Sequence, residues 1–507
     1  MSKTTLAKIP ALALLVVMLS GCSSSSTTST TPTKATLITI IGDAPICDAV
    51  SVNLTLTGLD FTPSGGGNAA GYLTTTAAYA PSIRVNLQLL RDFDTVLYSY
   101  PVKVGNYQQA NFKIQLAQLA TYEPALTPPV KLLTTTLTNA KPTLTLNPEF
   151  VITEGKTNVL QLDFSVLNML KTDSSGVLTG SVTPVISATQ LTSTGGSDFA
   201  EFDDLSGFVR STTLNSAPNS TYVGSLLLQL LSASVSGAPA LSVNVKSDTK
   251  LEGFVDLAHL LPDSYVEVAA SLNNQGEFVG NTVEFQALEQ PYTGSGSTAT
   301  PHTALIGPIT SITTDQAGNP TKFNLWVQDA EPQDSSNITL DTIFQVNLNS
   351  GTLYKVSTLG PNFANLTFGP QNLAVGQKVV VHGAYTRPSS STGSGSNLLA
   401  TVSPSAIYLK LQSLQGTMGS VVTTGSDGLT GAFILKPCCT LLQGAPIYVL
   451  TNSDTNYVNL TGPSALTPQM NLVVKGMPFY EPAASTINGV TIPAGTLVVE
   501  AKQVHKI

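Results

Sequence analysis

Apolar and polar residues alternate along most of this chain. Val50, Val52, Leu54 and Leu56 are separated by Ser51, Asn53 and Thr55, and Ile83, Val85, Leu87 and Leu89 by Arg84, Asn86 and Gln88. A period of two, rich in β-branched residues, predicts strands buried on one face. Turn chemistry interrupts the runs at Asp173-Ser174-Ser175-Gly176, Asn274-Gln275-Gly276, Gln316-Ala317-Gly318-Asn319 and Ser426-Asp427-Gly428. No long helical period occurs; only Gln88–Asp94 and Val255–Leu260 have the pattern of short helices. Many short strands punctuated by Gly and Pro predict an all-β fold of sandwiches or barrels.

The second half of the chain repeats itself. Each unit opens with a Gly inside a strand: Leu205-Ser206-Gly207-Phe208-Val209, Leu305-Ile306-Gly307-Pro308-Ile309 and Leu414-Gln415-Gly416-Thr417-Met418. A strand pair follows, then a late strand: Tyr265 to Ala270, Lys378 to Gly383 and Asn471 to Gly476. One closing strand ends each unit. The opening Gly and the late Gly, replaced by Ala270 in the first copy, mark sites where a strand bends around a small barrel. Pro308 is expected to break the second copy.

Two family resemblances follow from these residues. Ile41-Gly42-Asp43-Ala44-Pro45, the strand Val50 to Leu59, Val104-Gly105-Asn106-Tyr107, Glu154-Gly155-Lys156-Thr157 and Leu160 to Phe164 occur in an order that resembles domain-of-unknown-function family 4382. That resemblance implies a bacterial β-sandwich and no activity. The repeat order is similar to domain-of-unknown-function family 5666 and implies OB-like barrels of about five strands. The expected organisation is a β-sandwich over 36–202, OB-like barrels over 203–287, 304–410 and 411–507, and a linker over 288–303. Pro388 to Asn397 is expected to be a long hairpin loop.

The N-terminus carries an address. Lys3 and Lys8 precede an apolar run from Ala11 to Leu19, which ends in Leu19-Ser20-Gly21-Cys22. The run is too short for a bilayer span, which needs about 20 residues, and has the form of a secretory signal. The motif resembles a bacterial lipoprotein signal over 1–21, with Cys22 as the lipidated residue. Ser23 in place of Asp directs such proteins, by analogy, to the outer membrane. Ser/Thr-rich residues 22–35 read as a flexible spacer. The implied location is the cell envelope, on its periplasmic or surface side, with the membrane as a partner through the lipid.

Charge excludes some functions. Charged residues are only 11% and formal net charge is −8, with no Lys/Arg cluster. A phosphate backbone needs a basic footprint, so nucleic acid is not an expected partner.

Little in the chain carries chemistry. Apart from Cys22, the cysteines are Cys47, Cys438 and Cys439. Three is odd, so one is free or pairs between chains. Cys438 is a candidate for a disulfide with Cys439 or Cys47; alternatively the adjacent pair occupies opposite strand faces. His259, His302, His382 and His505 lack ligand spacing. His382 falls opposite Val379 and Val381, facing solvent or a partner. Asp92/Asp94, Asp203/Asp204 and Glu331/Asp334 are carboxylate pairs placed at turns or strand ends, where capping is the ordinary role. No nucleophile elbow, phosphate loop, EF-hand or zinc motif occurs, so no catalytic residue, metal site or cofactor is expected. Asp43, before Ala44-Pro45, is a turn-capping residue or a ligand residue. Trp326, Tyr385 and Tyr448, with Phe323 and Tyr457, are core fillers or a binding face for sugars.

These features read as a lipid-anchored, non-catalytic binding or scaffold module. The rivals are binding of an envelope polysaccharide, assembly with other envelope proteins, and a hydrolase with an unrecognised site.

Overall fold

The computed structural model describes residues 34–43, 51–66, 70–73, 83–90, 94–193, 196–217, 220–230, 240–288, 302–331, 340–360, 367–386, 400–438, 440–442, 445–487 and 489–507. It is all-β. Among these residues the only α-helical piece is the turn Val166–Met169. The expected short helices are 3₁₀ turns, Leu87–Leu90 and Leu257–His259.

The N-terminal unit is a β-sandwich. One sheet has the order Ile186–Leu191, Asn158–Phe164, Lys34–Asp43, Thr95–Lys103. The other is built on the long antiparallel pair Ser51–Pro63 and Gly105–Tyr122. Leu37, Ile41, Leu160 and Leu162 from the first sheet share one core with Leu54, Leu56, Phe61 and Phe112 from the second. The first sheet is covered on both faces. Its Ile38, Ile40, Val96 and Val159 join Phe202, Val268, Leu272 and Phe278 of the next unit. This explains why Leu37 to Ile41 is nearly continuous in apolar residues.

Three five-stranded closed barrels follow. The first comprises Ala200–Leu214, Gly224–Leu230, Leu241–Glu252, Ser264–Leu272 and Phe278–Leu288. The second comprises His302–Thr314, Pro320–Val327, Thr342–Asn347, Lys378–Thr386 and Ala400–Leu409. The third comprises Gln412–Thr424, Gly431–Pro437, Ile447–Thr451, Asn471–Glu481 and Thr496–Lys506. In each, the spatial order is 1-2-3-5-4, closed by pairing of strands 1 and 4, with strands 3 and 5 parallel. That is the strand order of an OB-like barrel.

The repeat glycines sit where backbones cross. A Cβ on Gly207, Gly307 or Gly416 would overlap the carbonyl oxygen of Gln229, Trp326 or Lys436 on the neighbouring strand. At the late site, ladder irregularities fall at Ala269/Ala270, His382/Gly383 and Lys475/Gly476. The bend is present in the first copy too, with Ala270 in the glycine's place. Pro308 does not break its strand. His302 to Pro308 pairs with strand 4, and Ile309 to Thr314 with strand 2. The proline stands at the hand-over, where its missing N–H costs little. The strand beginning at His302 extends into the stretch expected as linker. Residues 289–301 and the loop 387–399 lie outside the described residues, but strands Lys378–Thr386 and Ala400–Leu409 pair as a hairpin.

The modules are not separate beads. Phe208 and Tyr265 of the first barrel pack with Ala304, Ile306, Val380 and Tyr408 of the second. Met477 and Phe479 of the third are fully buried in the second barrel's cluster. Each such side chain contributes about 1.5–3 kcal/mol by burial.

Candidate functional site

Two polar nodes join the modules. The first lies between the sandwich and the second barrel. Asp341 precedes strand Thr342–Asn347, has a positive φ of 60° and is buried. Its Oδ2 accepts from Asn53 Nδ2 and from Gln118 Nε2, each at 2.9 Å, and its Oδ1 accepts from Trp326 Nε1 at 3.2 Å. Burial raises its pKa above the ordinary carboxylate value. Beside it, Asn86 Nδ2 donates to the Gln328 carbonyl at 3.3 Å, and Arg84 lies 3.7 Å from Asp329.

The second node lies where the three barrels meet. Asp203 and Asp204 together oppose the single residue Ala269, in a bulge between Phe202 and Leu205 of the first barrel's opening strand. The bulge turns neighbouring carboxylates to different partners. Asp203 receives Lys475 and Lys502 of the third barrel, both at 2.7 Å. Asp204 receives Lys410, the residue between the second and third barrels, at 2.8 Å. Lys410 also contacts Glu267 Oε1 and, at 3.2 Å, Ser206 Oγ. Ser357 Oγ lies 2.9 Å from Glu267 and 2.8 Å from Glu284, and Thr358 N–H reaches Glu284 at 3.2 Å.

The electrostatics follow from burial and pairing. Burial pushes Asp203 and Asp204 upward, but the lysines outweigh it and hold both below the ordinary value. Burial depresses Lys410, yet Asp204 and Glu267 more than restore its charge. A lysine so held has no lone pair with which to take a proton from Ser206. Burial raises Glu267, and burial followed by the Glu267 charge brings Glu284 to about 7. Desolvation, then the Lys410 charge, brings Lys378 down to about 8.

Beside Asp203 the junction opens into a cavity of ≈ 370 Å³. Its polar lining comes from Glu201, Asp203, Asn281, Asn452, Asp454 and Lys502. The volume suits a small polar ligand. Among the described residues no cluster of three or more His, Cys, Asp or Glu is placed to hold a metal, and no helix is long and apolar enough to cross a membrane.

Residues 34–179 match the family described as a domain of unknown function, DUF4382. The matched residues cover most of the sandwich, including Asn53, Arg84, Asn86 and Gln118 of the first node. No curated protein matches the chain.

The residues singled out in the sequence are dispersed. Asp43 ends the sandwich strand Lys34–Asp43, its backbone opposite Phe164, and its side chain is outside the described residues. Cys22, Cys47 and Cys439 are also outside them. Cys438 is disulfide-bonded, its partner outside the described residues, and its sulfur lies 3.3 Å from the Gln415 carbonyl. Trp326 and Tyr385 are buried, so neither offers a face to a ligand: Trp326 packs against Ala120 of the sandwich and Tyr385 edge-on against Phe344. Phe323 is likewise core. Tyr448 is half-buried against a cluster with Ala432 and Leu450, and Tyr457 against the third barrel's core. His382 leaves the outer strand face as its register predicts, but that face is covered. The ring lies between Tyr265 and Tyr408, with Nε2 3.0 Å from Gln286 Oε1. His259 and His505 stand apart, near Asp256 and Asn459. Asp94 accepts from Gln161 at 3.3 Å. Asp203 and Asp204 are not solvated caps at a strand end; they are paired inside a long strand. Asp92, Asp334 and the side chains of Glu331 and His302 are outside the described residues.

Sequence reasoning missed Lys410, Glu267, Glu284, Ser357 and Asp341. The available signal was charge inside apolar strand runs: Val266-Glu267-Val268, Val283-Glu284-Phe285 and Leu409-Lys410-Leu411. In a chain with so few charges, those positions call for a buried partner.

Proposed function

We propose that this chain is a lipid-anchored cell-envelope protein that acts as a non-catalytic binding or scaffold module, tethered through Cys22 to the outer membrane. The observation that carries the scaffold reading is the charge pairing between modules at the three-barrel junction. Asp203, Asp204 and Glu267 are matched by Lys410, Lys475 and Lys502 within the protein. Charge pairs of this kind, made between modules, fix their relative placement. A block of four modules fastened to one another is a suitable spacer and platform beyond a membrane. Labelled palmitate should enter the wild type and not Cys22→Ser; label on the variant would overturn the anchor. Crosslinking in cells should recover a constant envelope partner; finding the chain uncrosslinked and evenly dispersed would overturn the platform.

The junction cavity favours a second reading, recognition of an envelope polysaccharide. Its carboxylates, amides and lysine are the groups that hydrogen-bond sugar hydroxyls. Affinity electrophoresis in envelope polysaccharide should retard the wild type more than Asn452→Ala/Asp454→Ala. Equal mobility of the two would remove this reading.

A further inference from the structure

The hydroxyl of Ser357 has one hydrogen and two acceptor sites. Its oxygen nevertheless lies 2.9 Å from Glu267 Oε2 and 2.8 Å from Glu284 Oε2. Leu359 N–H points at the same oxygen from 3.4 Å. One hydrogen cannot serve two carboxylates. If both were ionised, one would face a bare oxygen lone pair in a buried site. The count closes when one carboxyl keeps its proton and donates it to Ser357.

Lys410 decides which one. Its ammonium contacts Glu267 Oε1 and lies 2.8 Å from Asp204, so Glu267 is the ionised member. Among the described residues Glu284 forms no ion pair with a lysine or arginine. Its other contacts are the Gln286 side chain and Thr358 N–H, the latter 3.2 Å from either oxygen, which a neutral carboxyl accepts through Oε1. We propose that Glu284 carries a proton on the acid side of neutrality and passes a hydrogen-bond chain through Ser357 to Glu267 and Lys410, forming a pH-sensitive latch between the first and second barrels.

The chain joins modules that are far apart in sequence. Glu267 and Glu284 stand on the last two strands of the first barrel, while Ser357 and Thr358 follow the second barrel's side strand Leu353–Val356. Of the first barrel's groups, Glu267 faces Glu284 directly, while Asp204 and Tyr265 face Glu267. The second supplies Tyr408, which faces Glu284 and Glu267, and Lys378, which faces Glu267, and Lys410 lies at the join to the third. Burial keeps both tyrosines neutral far above neutral pH. Asp204 stays ionised on Lys410. Burial and the Glu267 charge place the loss of the Glu284 proton at about 7. Above that, two carboxylates compete for one hydroxyl, and the contact between Glu284 and Ser357–Thr358 loosens.

Glu284→Gln tests this. Its amide can donate to Ser357 and accept from Thr358, reproducing the protonated group at every pH. In a Glu500→Gln background, which removes the other carboxyl brought to about 7, infrared spectra at about pH 6 should contain a protonated-carboxyl C=O band. That band should vanish by about pH 9 and be missing in the Glu284→Gln variant. Amide hydrogen exchange over residues 353–360, corrected for intrinsic rates, should rise several-fold over this range in the protein that keeps Glu284 and stay level in the Glu284→Gln variant. No band at about pH 6, or exchange indifferent to pH while Glu284 is present, overturns the latch. The readings on the protein that keeps Glu284 suffice alone if the Glu284→Gln variant fails to fold.

Discussion

Asn53 and Asp341 are 288 residues apart in the chain and 2.9 Å apart in space. The first lies in the sandwich, within the residues that match DUF4382, and the second in a barrel that the match does not reach. Their hydrogen bond is made where Trp326, the only tryptophan of the chain, is fully buried. The barrels thus complete the surface of the sandwich: Ser51, Asn53 and Asn86 are all buried beneath them.

Asp341→Asn should destabilise the protein by about 2 kcal/mol. The new amide keeps one acceptor but turns a donor toward either Trp326 or the Asn53–Gln118 pair, leaving a buried donor unmatched. Urea unfolding followed by tryptophan fluorescence measures the loss. Because Trp326 touches this node directly, its emission should also shift to the red in the folded variant. An unchanged midpoint and spectrum would show that the node carries no weight.

Lys410→Met should cost about 3–5 kcal/mol, because it leaves the Asp204 and Glu267 carboxylates buried without their cation. Adding Asp204→Asn and Glu267→Gln should recover most of the loss, since the strain is uncompensated charge and not missing volume. The single variant should also approach the wild type as the pH is lowered and the stranded carboxylates protonate. Calorimetric melting of these proteins at neutral and acid pH gives the comparison.

The β class and the barrel repeats were legible because they rest on short-range signals. Alternation in Val52, Leu54 and Leu56 marks a strand, and Gly207, Gly307 and Gly416 mark equivalent backbone crossings. What the pattern could not convey was how the modules pack on one another. Asn53, Arg84 and Asn86 occupy the polar positions of their strands and read as solvent-facing; a second barrel covers that face, and its Asp341 lies hundreds of residues on. His382 had the correct face and the wrong surroundings for the same reason. Asp203 and Asp204 read as caps because adjacent carboxylates rarely share a strand interior; the bulge that permits it depends on lysines supplied by another module. Burial between modules is a property of the folded pair: regular alternation, as at Asn53 and Asn86, carries no trace of it, and only a charge inside an apolar run, as at Glu267 and Lys410, points to it.

Gly307→Ala should destabilise the second barrel by about 1–3 kcal/mol through overpacking. The added methyl would overlap the Trp326 carbonyl, and a backbone atom in a closed barrel cannot swing aside as a side-chain tip can. Gly65→Ala, where a Cβ meets nothing within 4 Å, is the matched control and should change little. Similar melting temperatures for the two variants would mean that the barrel relaxes around the crossing.

Glu500 gives a pH dependence with a definite sign. It is buried in the third barrel's closing strand, and Asn452 Nδ2 donates to its Oε1 at 3.0 Å. Burial raises its pKa from 4.5 to about 7 despite that hydrogen bond. The folded state therefore holds this proton more tightly than the unfolded state does. Its contribution to stability is complete below about 4.5 and is lost as the pH rises to about 7, after which it is constant. Glu500→Gln keeps the acceptor for Asn452 and has no proton to lose, so the fall in urea midpoint between about pH 5 and pH 8 should be smaller than in the wild type. The remaining fall includes Glu284, whose shift has the same sign, and the double variant Glu284→Gln/Glu500→Gln should be flatter still. A wild-type midpoint that rises through this interval, with both variants following it, would mean that these two carboxyls are already ionised in the folded protein.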